Sequence, residues 1–291
     1  MKVAVIGCNG QLGADVVAAF LRQGDEVTGL THADIELSSV NSVKDCLGPI
    51  GAELVVNTAA MHHVENCEKE PEKAFAVNAI GARNLALITR EMGAALVHIS
   101  TDYVFDGQKG EPYTEEDAPL PLNVYGNSKL AGEHFVRTVN TKHFVLRVSA
   151  LYGKHPCRAK GGFNFVDLML KLGKERGRVR VVDTEFVSPT PTAAVARQIT
   201  VLAGSDAFGL YHATAEGLCS WHAFAKQIFA TARLDVQVDV ASASEFPAKV
   251  PRPVYSVLEN RGLKKAGLNV FEPWQEGLDE YLCAAETLAA R

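Results

Sequence analysis

The sequence has no apolar run approaching the roughly 18 to 20 residues needed to cross a bilayer, so no membrane span is expected. Neither sign of charge is in large excess: 29 Lys and Arg stand against 34 Asp and Glu. The net charge of −5 is too mild for an electrostatic nucleic-acid binder or an acidic disordered tail. The six cysteines, Cys8, Cys46, Cys67, Cys157, Cys219 and Cys283, include no C-x-x-C pair and no His at zinc-finger spacing, which favours reduced thiols over a disulfide framework or a structural metal. There is no internal repeat and no low-complexity tract. The chain opens on Lys2-Val3-Ala4-Val5-Ile6, a strand-like run rather than the basic and apolar regions of a signal peptide, and a cytoplasmic protein is expected. What remains is an ordinary composition, 47% hydrophobic and 22% charged over 291 residues, enough for one large domain or two unequal ones with a substantial core.

Periodicity organises the first half. Residues 2–7 form an apolar β-type run, and 11–22 place Leu12, Val16, Ala19 and Phe20 at helical spacing. Further strands are predicted at 26–31, 54–56, 94–99 and 144–147, with helical patterns between them, which implies a parallel sheet with right-handed crossovers. Residues 106–123, rich in Gly, Pro, Asp and Glu, read as a long loop at the fourth strand's carboxyl end, where loops usually serve a site. Beyond residue 150 the pattern is less regular, with helices predicted at 164–174, 192–203, 220–232 and 274–289.

Four stretches carry chemistry. Gly7-Cys8-Asn9-Gly10-Gln11-Leu12-Gly13 joins the first strand to the first helix as G-x-x-G-x-x-G. Glycines there permit a tight turn and the close approach of a pyrophosphate to the helix N-terminus. Asn57-Thr58-Ala59-Ala60 ends the third strand with residues small enough for a cofactor to lie across the sheet edge. Ser100-Thr101 ends the fourth, where a hydroxyl can hold a reacting oxygen. Tyr125 and Lys129 are four apart on one helix face. An ammonium beside the phenol is expected to lower its pKa and let it exchange a proton at a carbonyl oxygen.

In this order the stretches resemble the extended short-chain dehydrogenase/reductases, most closely the dTDP-4-dehydrorhamnose reductase family. The resemblance is specific in Ser100-Thr101-Asp102-Tyr103-Val104-Phe105-Asp106-Gly107 and in Pro121-Leu122-Asn123-Val124-Tyr125-Gly126-Asn127-Ser128-Lys129-Leu130-Ala131-Gly132-Glu133. Asn164-Phe165, Pro189-Thr190, Ser220-Trp221 and Arg252-Pro253 extend it over nearly the whole chain. It implies an α/β fold: a Rossmann-type doubly wound parallel sheet over residues 1–150, then a smaller α+β substrate lobe over 151–291 that can return a strand to the main sheet. It also implies hydride transfer from NADPH or NADH to the C4 ketone of a dTDP-6-deoxy-4-ketohexose, giving dTDP-L-rhamnose. The catalytic residues would be Thr101, Tyr125 and Lys129. Gly7, Gly10, Gln11, Leu12, Gly13, Thr31, Ala59, Ala60, Tyr125 and Lys129 would hold the cofactor, and Thr101, Tyr103, Asn164 and Arg252 the nucleotide-sugar. A homodimer lies within what the family implies. No metal site is carried over, because carboxylates such as Asp15 are too common to signal one.

Some positions depart from the family's pattern. Tyr103 stands where related dehydratases carry an acid, which disfavours water elimination, and Asp102 reads as a structural cap of the strand end. Ala150 replaces a Trp that would wall the sugar, while Glu185 and Val187 replace an amide and a glycine. His62 and His63 stand where the family often has a Tyr-Thr pair, which leaves a substrate-contacting His open; with no carboxylate or Cys at metal-ligand spacing the plainer reading is a solvated loop histidine, and Glu65, Glu68 and Glu70 read as a solvated helix start. The second strand ends in Thr31-His32 with neither the acid of an NAD site nor a basic residue for a 2′-phosphate. Asp34 and Glu36 come slightly late, and hydrogen bonds from Thr31 and His32 tip the expectation to NADP(H) over NAD(H). The alternatives are another nucleotide-sugar reductase or epimerase with the same triad, or a dinucleotide-binding regulatory subunit resembling the methionine adenosyltransferase beta subunit.

Overall fold

Strand β1 (Lys2–Ile6) buries Val3 and Val5 on one side and Ala4 and Ile6 on the other, each 1% exposed or less. A strand apolar on both faces belongs in the middle of a sheet covered by helices on both sides. The computed structural model describes residues 1–156, 162–246 and 248–289, and Cys157 lies outside them. After β1 come α1 (Gln11–Arg22), β2 (Glu26–Leu30), α2 (Val40–Ile50), β3 (Leu54–Asn57), α3 (Val64–Lys69) and α4 (Pro71–Phe75). A π-helical turn (Ala76–Ile80) leads into α5 (Gly81–Met92), followed by β4 (Ala95–Thr101), a 3₁₀ turn (Asp102–Val104), α6 (Val124–Val139) and β5 (His143–Val148). The second half supplies β6 (Leu151–Tyr152), α7 (Phe165–Arg176), β7 (Arg178–Val182), β8 (Phe186–Val187), β9 (Thr190–Pro191), α8 (Thr192–Ala203) and β10 (Gly209–His212). It ends with β11 (Cys219–Ser220), α9 (Trp221–Thr231), β12 (Gln237–Ala241), α10 (Arg261–Ala266) and α11 (Trp274–Ala289).

The main sheet is parallel throughout, in the order β10-β5-β4-β3-β1-β2. Val16 and Phe20 of α1 pack with Val195, Ile199 and Leu202 of α8 on one face, and Val43, Leu47, Leu85 and Val136 of α2, α5 and α6 cover the other. This is a Rossmann-type doubly wound sheet. The strand returned by the second half is β10, which extends the sheet beyond β5. The strand order turns round between β1 and β3, and the crevice outside their carboxyl ends is where ligands bind in such sheets.

A smaller lobe forms around a separate core in which Val166 and Met169 of α7, Phe224 and Phe229 of α9, and Leu278 and Tyr281 of α11 pack over the parallel pair β7 and β12. Two short ladders, β6 with β9 and β8 with β11, stitch it together. Among the described residues no helix is long and apolar enough to cross a membrane.

Two glycines set the height of α6. A Cβ on Gly126 would lie 2.2 Å from Tyr103 O, and one on Gly132 would lie 2.3 Å from Asn78 O. The helix therefore sits flush against the 3₁₀ turn at one point and the π-helical turn at the other. Asn78 completes the attachment, its Nδ2 donating to Ser128 Oγ at 3.0 Å and to Met61 O at 2.9 Å.

Candidate active site

The glycine loop is shaped from inside the protein. Gly7 has φ +80°, and a Cβ there would come within 2.8 Å of Thr58 Oγ1; a Cβ on Gly13 would lie 2.1 Å from Gly7 O. Thr58, from the small-residue stretch that ends β3, clamps this contact by donating to Ile6 O at 2.8 Å. Gly10 is different, since its Cβ would meet only Gly7 O, at 3.3 Å. It caps α1 without a side chain, and the first turn of that helix carries no acidic residue. The helix thus ends in N–H groups that no side chain answers, in a positive field, which fits a pyrophosphate. Leu12 is 7% exposed and packs into the core, so it offers a ligand its backbone alone. Gln11 donates to Gly153 O at 3.2 Å, tying the loop to the second half of the chain. Ala59 and Ala60 flank the loop on the β3 side, the Ala59 N–H held by Asn57 Oδ1 at 3.1 Å.

At the tip of β2 the Thr31 N–H and hydroxyl both donate to Asp34 Oδ2, at 2.8 and 2.7 Å. These bonds hold the Asp34 carboxyl below its ordinary value. The late acid is therefore folded back onto the strand end, and the Thr31 hydroxyl expected to face a cofactor is engaged by it.

Beyond β4 the hydroxyls divide. Ser100 Oγ donates to Glu133 Oε1 at 2.5 Å, and Arg147 grips the same carboxylate with two bonds of 2.9 and 2.7 Å. Thr101 stays beside Tyr125: it donates to Asp102 Oδ1 at 2.9 Å, caps the 3₁₀ turn through Tyr103 N, and acts against the rise of the Tyr125 pKa. Asp102 is a structural tie, its buried carboxyl also accepting from Ser149 at 2.9 Å. The Tyr103 ring meets Tyr125 edge-on at 5.8 Å between centroids.

Tyr125 is placed by the first turn of α6, where Asn123 Oδ1 accepts from Gly126 N at 2.9 Å and Glu68 Oε1 accepts from Val124 N at 2.8 Å. Burial raises its pKa, and Thr101 is the strongest opposing influence. The expected lowering by Lys129 is not the dominant effect, because the amine turns elsewhere: Nζ donates to Ile99 O at 2.5 Å and faces His98 Nε2 at 3.3 Å. Burial pushes Lys129 down to about 8, with the Glu133 carboxylate opposing. His98 was not among the residues singled out by motif. Its one signal in sequence is an imidazole inside an otherwise apolar strand.

The residues assigned to the sugar are less uniform. Asn164 is 4% exposed and caps α7, its amide nitrogen donating to Gly153 O at 3.0 Å and to Asp167 and its oxygen accepting from Asp167 N. That makes it a support for the Gly153 turn rather than a side chain presented to the cleft. Arg252 is paired with Glu65, which also lies 3.3 Å from His63 Nδ1. Glu65 and Glu68 thus open α3 with partners of their own, Arg252 and the Val124 N–H, while Glu68 and Glu70 stay exposed as expected. Burial and then the Asp102 carboxylate raise the Tyr103 pKa; Arg252 opposes them and Glu185 adds a smaller push upward. Val187 is buried in the β8–β11 ladder. Ala150 adopts φ +44°, the left-handed region, just past β5.

The family described as RmlD substrate binding domain matches residues 1–287. The chain is 39% identical to the spore coat polysaccharide biosynthesis protein SpsK of Bacillus subtilis, an alignment covering 97% of this chain and 96% of that protein. Among solved structures, a dTDP-4-dehydrorhamnose reductase of Bacillus anthracis in complex with NADP superposes with a TM-score of 0.92 at 38% identity, covering 98% of this chain and 100% of that one. A dTDP-4-dehydrorhamnose reductase of Clostridium acetobutylicum gives 0.93 at 37% identity with the same coverage.

Proposed function

The chain belongs to the RmlD substrate binding domain family, that of the dTDP-4-dehydrorhamnose reductases, and from that membership we propose that it is an NAD(P)H-dependent oxidoreductase that reduces the C4 ketone of a dTDP-6-deoxy-4-ketohexose to give dTDP-L-rhamnose. The observation that carries the reading is Thr101 at the end of β4, close enough to the Tyr125 phenol to oppose its raised pKa, with Lys129 one turn further along α6. Thr101 orients the ketone oxygen and Tyr125 protonates it. A phenol kept neutral by burial is in the correct state to donate. Lys129, with a value near 8, is able to return a proton to Tyr125 at neutral pH. The bound reduced dinucleotide supplies the hydride. Gly7, Gly10, Gly13 and the backbone of Gln11 and Leu12 would receive its pyrophosphate, with Ala59 and Ala60 beneath it.

NADP(H) is proposed ahead of NAD(H), on the NADP bound in the Bacillus anthracis relative. The Asp34 charge at Thr31 pulls the other way, and a comparison of kcat/KM for the two cofactors decides. Arg252 and Tyr103 are proposed to meet the nucleotide-sugar, and the proposal extends to a cytoplasmic homodimer, which sedimentation tests. The reaction is tested with freshly made dTDP-6-deoxy-L-lyxo-4-hexulose and either reduced cofactor, with the product identified by NMR. Tight dinucleotide binding without reduction of any 4-keto nucleotide-sugar would replace this reading with the regulatory-subunit alternative.

A further inference from the structure

Behind Tyr125 and Lys129 lies a buried row of polar groups to which the reaction above gives no part. Asn57 and His98 face each other across the β3–β4 ladder as a register pair, 2% and 1% exposed. The chain itself fixes the Asn57 amide. Its Oδ1 accepts the Ala59 N–H at 3.1 Å, and turning the amide over would set donor against donor. Nδ2 therefore donates to His98 Nδ1, at 3.1 Å. A neutral imidazole that accepts at Nδ1 carries its proton on Nε2, and Nε2 faces Lys129 Nζ at 3.3 Å.

An ammonium has donors only and cannot answer an N–H, whereas a neutral amine can accept from His98 and still donate to Ile99 O. A doubly protonated His98 fails at the other end, where its Nδ1–H would confront the Asn57 N–H groups. Resting on the reductase reading of this site, we propose that Asn57 and His98 are a positioning pair whose fixed tautomer favours neutral over protonated Lys129, so that the Lys129 ammonium gives up its proton readily to the Tyr125 phenolate left after the substrate oxygen is protonated, and becomes the amine. The other groups facing Lys129 fit this division of roles. Glu133, one turn along α6, favours the ammonium, but its carboxylate is held by Arg147 from β5 and by Ser100 from β4. Tyr125, one turn earlier, is neutral.

The first measurement needs no variant. Nitrogen-15 NMR of the histidine-labelled, cofactor-free protein should find His98 in the Nε2–H form; an Nδ1–H or imidazolium His98 overturns the proposal. In Asn57→Asp the new carboxylate accepts from Nδ1–H and frees Nε2 to accept from an ammonium. His98 should then change tautomer, and the Lys129 midpoint, followed by carbon-13 NMR of its Cε, should rise by about one pH unit or more. Added charge alone would also raise it, so the same change is made beside His98→Phe. A rise much reduced without the imidazole supports transmission through the tautomer, and a rise of the same size overturns it. None of these readouts uses the sugar. A correct tautomer in a protein that reduces no 4-keto sugar counts against the reaction and for the pair, and normal turnover with the wrong tautomer does the reverse.

Discussion

The two rims of the cleft are built on different principles. On the sheet rim, the glycine loop, Thr101, Tyr125 and Lys129 are held by backbone contacts that admit no alternative: Gly13 against Gly7, Gly126 against Tyr103, Gly132 against Asn78. On the lobe rim, Arg252, 38% exposed, is held by charge to Glu65 of α3, itself 24% exposed. The first rim is preorganised by packing, and moving any part of it means moving a strand or a helix. The second is set by side chains that can exchange one anionic partner for another. Chemistry needing sub-ångström placement belongs on the first, and adjustable recognition of an anion on the second.

The comparison can be broken or sharpened by measurement. Its strongest consequence is at Tyr125: Tyr125→Phe should lower turnover by about 10² to 10⁴ with dinucleotide affinity kept. A wild-type rate under chemistry-limited conditions would remove the sheet rim from catalysis. Glu133→Leu leaves the Arg147 guanidinium, 2% exposed, buried without its partner, and should lower the folding free energy by about 3 to 5 kcal/mol in denaturant titrations. Gly10→Glu should weaken dinucleotide binding roughly a hundredfold by calorimetry, since a carboxylate would stand at the N-terminus of α1 where the pyrophosphate approaches.

Smaller effects are expected from protonation and from the lobe rim. Lys129 titrates near 8 rather than at its ordinary 10.5, and reduction consumes a proton. For the free enzyme, kcat/KM should therefore be level below about 8 and fall above it as the ammonium is lost, and Lys129→Met should erase that limb. Arg252→Ala should raise KM for the nucleotide-sugar about tenfold while changing stability by less than about 1 kcal/mol, as exposed ion pairs do. If it cost more turnover than Tyr125→Phe, the contrast between the rims would be reversed.

How far these features can be read in the sequence follows from what a local pattern encodes. β1 and β3 are legible because strands buried on both faces read as short apolar runs, and α1, α8 and α9 because their buried residues recur at helical spacing. The pairs β6–β9 and β8–β11 are not, since two residues have no period. The spacing of Tyr125 and Lys129 puts them on one helix face but says nothing of where a long amine ends, and it ends at Ile99 O and His98. Glu65 and Glu68 read as solvent-facing because their partners, Arg252 and Val124, lie 187 and 56 positions away. Asn57 and His98 meet through strand register, which no single segment contains.

The strand returned from the second half has a consequence for how the protein is made. Until Gly209–His212 leaves the ribosome, β5 presents an unpaired edge, and the face of α1 that later meets α8 is bare. An open parallel edge beside uncovered apolar residues invites pairing with other nascent chains. The cofactor half therefore cannot finish folding during its own synthesis, and a polypeptide stopped near residue 150 should accumulate as aggregate or require a chaperone.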